Sequence, residues 1–187
     1  MELKSKSVLF LGSSVTFGSA SGGVSFADMM QEACGIHMIK EAVSGTTLAD
    51  VKETSYVARL KRIDKGQKID LFICQLSTND AVKKIEPAKT EQAIRFILEY
   101  VKDTFDCPIV FYTGTYFDDR NYERLVEMLE ALQGEYDFKI LNLWRDPEML
   151  AVCEADRKRY MADPIHPSEV GYREWWTPRF ISFCESI

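Results

Sequence analysis

One segment constrains the fold more than any other: Ile69-Asp70-Leu71-Phe72-Ile73-Cys74-Gln75-Leu76 is apolar at most positions and is bounded by polar residues. A strand with one wet face alternates apolar and polar side chains. A nearly continuous apolar run is what a strand covered on both faces requires, and such strands are typical of parallel sheets. Ser7 to Leu11, Ile36 to Val43, Pro108 to Thr113 and Phe138 to Leu143 also have strand character. Helical spacing lies between strands. Ile94, Ile97, Val101 and Phe105 form one apolar stripe, on a helix that Pro87 helps start. Tyr122, Leu125, Leu129 and Leu132 form another, and Gly134 stands where that helix stops. The β-α alternation predicts right-handed crossovers and helices on both sheet faces, that is, a three-layer α/β/α sandwich around a mainly parallel five-stranded sheet.

The chain of 187 residues is long enough to bury a substantial core without disulfides or metal, and no Pro/Gly/Ser-rich linker divides it, so one domain over 1–187 is expected. Its formal charge of −6 offers no overall positive field to a nucleic-acid backbone, and no apolar run approaches a membrane span. Neither nucleic acid nor membrane is expected as a partner. Cys34, Cys74, Cys107, Cys153 and Cys184 are an odd set with no CxxC pair, which fits reduced thiols better than a disulfide framework or a zinc site. The segment MELKSKSVLFLG has too short an apolar stretch for a signal-peptide core, so cytoplasmic residence is expected. Nothing in the sequence specifies the oligomeric state.

Open parallel sheets bind ligands outside the carboxyl ends of their strands. Four segments reach that edge with reactive or polar groups: Gly12-Ser13-Ser14 after the first strand, Ser44-Gly45-Thr46-Thr47 after the second, Ser77-Thr78-Asn79-Asp80 after the third, and Asp163-Pro164-Ile165-His166-Pro167 before a last helix that starts near Ser168. In Gly-x-Ser the glycine permits a sharp turn that exposes the second serine, here Ser14, while the middle residue points toward the sheet. His166 follows Asp163 by three residues in a proline-flanked loop, a spacing that can hold an imidazole against a carboxylate. Acyl transfer by a serine needs a base for the hydroxyl proton, an acid to orient that base, and donors for the oxyanion. The backbone at Gly45 and the amide of Asn79 are candidate donors. Each feature also has a plain structural reading: Gly45 as a turn residue, Asn79 and Asp80 as helix caps. His37, inside a strand, reads as structural.

Taken together, Ser14, Gly45, Asn79 and the pair Asp163 and His166 resemble the SGNH hydrolases, also called GDSL-type esterases and lipases. STND and DPIHPSEVGY carry the most specific part of that likeness. The resemblance implies a flavodoxin-like sandwich. It also implies a serine esterase with Ser14 as nucleophile, His166 as base and Asp163 as its orienter, the oxyanion being held by Ser14, Gly45 and Asn79. Such an enzyme takes a small-molecule acyl ester and requires no metal or organic cofactor. Three positions depart from the family pattern: Ser13 replaces the usual aspartate of Gly-Asp-Ser, Ser77 stands where glycine commonly precedes Thr-Asn-Asp, and Lys40-Glu41 stands where an asparagine often precedes the second-loop glycine. All three fall on the hydrogen-bond network around the oxyanion site.

The length leaves little room for a lipid-binding lid. Tyr116 and Phe117, after the fourth strand, and Arg157 and Tyr160, before Asp163, are candidate substrate contacts. Rings beside polar groups suit a hydroxylated alcohol, so short acyl esters are expected, with O-acetyl groups on a carbohydrate as the natural example. The competing readings are a lysophospholipase- or thioesterase-type acyl hydrolase, a catalytically inactive binding relative, and a flavodoxin-like module binding phosphate or flavin in the Ser13 to Thr16 turn. The last gives Asn79, Asp163 and His166 no role. A P-loop is excluded because Gly12 to Gly18 contains no lysine.

Overall fold

A computed structural model describes residues 1–187. In chain order the elements are β1 (Ser7–Gly12), α1 (Ser14–Phe17), a 3-10 turn (Ser19–Ser21), α2 (Phe26–Cys34), β2 (His37–Ala42), α3 (Tyr56–Leu60), β3 (Leu71–Gln75), α4 (Thr78–Val82) and α5 (Pro87–Phe105). There follow β4 (Ile109–Tyr112), α6 (Arg120–Leu132), β5 (Lys139–Leu141), α7 (Pro147–Leu150), α8 (Glu154–Tyr160), α9 (Glu169–Gly171), a π-helical turn (Tyr172–Trp176) and α10 (Thr177–Glu185). The sheet order is β2-β1-β3-β4-β5, and every pair is parallel. The α/β architecture expected from the sequence is present. Because β1 lies between β2 and β3, the loops leaving β1 and β3 flank a switch point, where a parallel sheet opens a crevice at its carboxyl edge.

Strand periodicity divides the core. Leu9, Leu11, Phe72, Cys74 and Phe111 point to one face, where Tyr56, Val57 and Leu60 of α3, the stripe of α5 and the stripe of α6 cover them. Val8, Phe10, Leu71, Ile73, Val110 and Tyr112 point to the other, beneath Phe26, Met29 and Met30 of α2 and the C-terminal Tyr172, Trp176 and Phe180. Successive side chains on one strand therefore serve opposite layers, as the period of two demands. Phe26 anchors the second layer by stacking on Phe180 with centroids 3.8 Å apart while Tyr112 meets it edge-on at 5.2 Å. No helix is long and apolar enough to cross a membrane.

Local chemistry sets the element ends, and several strands are shorter than their apolar runs. β3 begins at Leu71 rather than Ile69; at Asp70 the side-chain carboxylate accepts from the Ser7 amide at 2.9 Å, where a ladder would use a backbone carbonyl. β5 spans only Lys139 to Leu141: as an edge strand it pairs with β4 alone. Asp119 caps α6 by accepting from the Asn121 and Tyr122 amides, so the helix starts two residues ahead of the apolar stripe.

Gly12 marks where β1 meets α1. A Cβ there would lie 1.7 Å from Thr16 Oγ1 and 2.9 Å from Gln75 Oε1, so no larger residue fits without moving the turn. Gly12→Ala is expected to lower stability by roughly 1–3 kcal/mol, the usual range for overpacking, as read by urea unfolding. A variant as stable as the parent would contradict this packing.

Candidate active site

The first helical turn places Ser14 at the carboxyl edge of β1, and its side chain meets a residue 152 positions away in sequence. Ser14 Oγ lies 2.7 Å from His166 Nε2. On the other side of the ring, His166 Nδ1 lies 2.7 Å from Asp163 Oδ2. The remaining carboxylate oxygen, Asp163 Oδ1, accepts from the Ile165 and His166 amides at 2.8 Å each. Partial burial opposes ionisation of Asp163, but these two amides and the imidazole outweigh it, so the carboxyl titrates below its usual range. An ionised acceptor at Nδ1 fixes the tautomer in which that nitrogen carries the proton and Nε2 faces the hydroxyl as an acceptor. The arrangement can take the proton from Ser14.

The loop owes its shape to short-range contacts. Met161 and Pro167 form an isolated antiparallel bridge, and the Ala162 amide donates to the His166 carbonyl at 2.9 Å, closing the hairpin that presents Asp163 and His166. Ser168 then caps α9 by accepting from the Gly171 amide at 3.0 Å. Tyr172, one turn later, donates its hydroxyl to the Val15 carbonyl at 2.7 Å, tying this segment to α1.

Ser13 is fully buried and faces the sheet, as the Gly-x-Ser turn requires. Its amide donates to Gln75 Oε1 at 2.9 Å and its hydroxyl to the same oxygen at 3.3 Å; Thr16 Oγ1 adds a third donor at 3.0 Å. A neutral amide on β3 therefore holds the turn from below. Burial pushes the neighbouring Tyr56 and Tyr112 phenols far above their ordinary range, so both remain neutral hydroxyls under the turn.

Three groups expected as oxyanion donors have N–H bonds to spare. The Ser14 amide stands at the start of α1, where a helical N–H has no partner within its own helix. Gly45 is exposed and has φ of +75°, a left-handed conformation that favours glycine and leaves its amide without a hydrogen bond to the protein. Asn79 Nδ2 donates to the Thr46 carbonyl at 2.9 Å, which uses one amide hydrogen and leaves the other available. Helix capping falls to Ser77, whose hydroxyl accepts from the Asp80 amide at 3.3 Å, so neither Asn79 nor Asp80 is the cap that the sequence allows them to be. Asp80 is fully buried and accepts from the Leu48 and Ala49 amides at 2.8 and 2.9 Å and from the Thr90 hydroxyl at 2.9 Å, anchoring the loop that carries Gly45.

A groove of about 610 Å³ opens beside Asp163, lined in part by Tyr116, Phe117, Arg157, Met161 and Pro164. Tyr116 and Phe117 pack on Trp144 with centroids 4.9 and 5.1 Å apart, so the exposed Tyr116 ring belongs to a fixed aromatic platform. Arg157 hydrogen-bonds the Tyr116 carbonyl and braces that wall. Tyr160 does not reach the groove: it turns the other way and stacks on Trp175 at 5.4 Å.

Two participants escape the motif reading, Gln75 and Arg59. Gln75 shows itself only as an amide in an otherwise apolar strand. Arg59 lies three residues beyond Tyr56 in the short apolar helix α3, a spacing that puts both on one face, turned inward.

No curated protein sequence matches the chain. A protein from Lactobacillus plantarum has a similar structure, with a TM-score of 0.79 at 18% identity over 98% of each chain. Axe2, an acetylxylan esterase from Geobacillus stearothermophilus, superposes with a TM-score of 0.74 at 18% identity, over 97% of this chain and 95% of that one. AlinE4, an SGNH-hydrolase family esterase, gives 0.66 at 23% identity over 98% of this chain and 97% of its own. At such identities the likeness is one of fold. The sequence itself matches the GDSL-like lipase/acylhydrolase family over residues 10–174, a span that takes in the loops of Ser14, Gly45, Asn79, Asp163 and His166, and the chain belongs to that family.

Proposed function

We propose that this protein is a serine esterase that cleaves short acyl esters, with an O-acetylated carbohydrate as the substrate class its groove fits best. The observation that carries the reading is the unbroken relay from Ser14 Oγ to His166 Nε2 and from His166 Nδ1 to Asp163 Oδ2, each contact 2.7 Å long.

In this mechanism Ser14 Oγ attacks the ester carbonyl as His166 Nε2 takes the hydroxyl proton. The carbonyl π pair moves to oxygen, where the amides of Ser14 and Gly45 and the free amide hydrogen of Asn79 receive it. The tetrahedral intermediate collapses, His166 returns the proton to the departing alkoxide, and the alcohol leaves an acyl group on Ser14. Water, deprotonated by His166, then attacks the acyl carbonyl, and the proton returns to Ser14 as the acid departs. Asp163 orients the imidazole and stabilises its cationic form throughout.

Support for the alcohol side comes from the groove, where the exposed Tyr116 lies with Asp118 and Arg157 in the lining, a ring beside polar groups of the kind that suits a pyranose. For the acyl side, a long chain would need an apolar channel to gain about 0.8 kcal/mol per buried methylene. The groove is open to solvent and mixes charged with apolar lining, which favours small acyl groups over a lipase or thioesterase substrate.

A graded series of activated esters tests the acyl preference. Values of kcat/KM are expected to peak at acetyl to butyryl and to decline beyond about four acyl carbons, since further methylenes stay in water. A steady climb to octanoyl would instead place the protein among long-chain acyl hydrolases. For the oxyanion role, Asn79→Ala should lower kcat by about 10²- to 10³-fold with a much smaller change in KM. An effect on KM alone would reduce Asn79 to a substrate-binding group.

A further inference from the structure

Arg59 is 6% exposed, and its guanidinium reaches both the end of β1, which leads to Ser14, and the loop that carries Gly45. Nη2 donates to the Gly12 carbonyl at 2.7 Å and to Thr46 Oγ1 at 3.2 Å, Nη1 to the Glu41 carbonyl at 2.6 Å, and Nε to the Thr54 carbonyl at 3.1 Å. The guanidinium carbon sits 5.1 Å from the centroid of the Tyr56 ring, which limits its rotation. The only carboxylate near it, Glu41, is 37% exposed with its oxygen 3.4 Å from Nη1, so ion pairing is a minor part of what holds the charge. Instead carbonyls at the carboxyl ends of β1 and β2 and in the loop before α3 surround it.

One nitrogen therefore spans the two segments that carry the oxyanion amides. Gly12 precedes Ser14 by two residues, and Thr46 directly follows Gly45. Asn79 grips the same Thr46 by its carbonyl at 2.9 Å, while Thr46 Oγ1 donates to the Val43 carbonyl at 2.6 Å. We propose that Arg59 is a positioning residue that sets the separation of the Ser14 and Gly45 amides, and so tunes the oxyanion hole without touching substrate; this rests on the esterase reading. Lysine cannot substitute for it, because an ammonium lacks the planar fork that joins Gly12, Glu41 and Thr46 at once. In this chain, where Lys40-Glu41 occupies the place of the family's asparagine, Arg59 supplies side-chain bonding between the ends of β1 and β2.

The test uses the full chain and p-nitrophenyl acetate, with Arg59→Lys, Thr46→Val and the double variant. Arg59→Lys is expected to lower kcat by about 10- to 100-fold while KM stays within about threefold, the pattern of a misplaced transition-state donor. Its rate of inactivation by a fluorophosphonate should fall in step. The acid limb of the kcat/KM profile should keep its position, since the imidazole and its carboxylate are untouched. Thr46→Val should reduce kcat by a smaller factor, and the double variant should lose less than the product of the two single losses. Arg59→Lys with a lower melting temperature but parental kcat would overturn the proposal, as would a change confined to KM or a shifted acid limb. If Arg59→Lys does not fold, Thr46→Val decides alone, and parental kcat there overturns the proposal. A parent that hydrolyses no ester removes the esterase reading and this inference together; an active parent with an undiminished Arg59→Lys removes only the inference.

Discussion

The site depends on one carboxylate being used twice. Asp163 Oδ1 collects the amides of Ile165 and His166, which folds the loop, while Oδ2 holds the imidazole that the loop carries. Neither half works without the other, because an imidazole on an unfolded loop has no fixed bearing and a folded loop without the second oxygen leaves the tautomer free. Proline on either side of Ile165-His166 narrows the conformations from which this closure starts. The result is a histidine only 25% exposed at its side chain and aimed at a hydroxyl at the other end of the chain.

The opposite side of Ser14 follows a different design. There the fixed elements are backbone amides, and the segments that carry them are held by buried polar side chains: Gln75 beneath the Ser13 turn, Arg59 between β1 and β2, and Asp80 behind the loop of Gly45. Gln75 and Asp80 accept from loop amides and hydroxyls, and Arg59 donates to carbonyls at the ends of β1 and β2. Such groups are costly to bury unpaired, so the same side chains stabilise the fold and set the site geometry. In the proposed esterase reaction, preorganised donors of this kind would not need to reorient as charge develops on the substrate.

Much of this was legible from residues alone, for definable reasons. The near-continuous run around Ile73 reports burial on two faces, and the stripes of α5 and α6 report one face each, so the layer order follows from periodicity. Ser14, Asp163 and His166 stand out because Gly-x-Ser and Asp-x-x-His are local patterns whose members lie within three residues of one another. Arg59, Gln75 and Asp80 act across 47, 62 and 32 residues of separation, and local spacing carries no sign of such contacts. Tyr160 misled for the opposite reason: adjacency to Asp163 in sequence suggested a shared groove, but the end of α8 turns its ring onto Trp175.

In the proposed reaction Ser14 carries the acyl group between two half-reactions. Rapid quenching of the protein with an activated acetate ester, followed by peptide mapping by mass spectrometry, tests it most directly. A burst of alcohol release approaching one equivalent per chain is expected whenever deacylation is the slower step, with an acetyl group on Ser14 at matching occupancy. Acetyl found on Ser13, or steady hydrolysis with no acylated peptide even when turnover is slowed at acid pH, would contradict it.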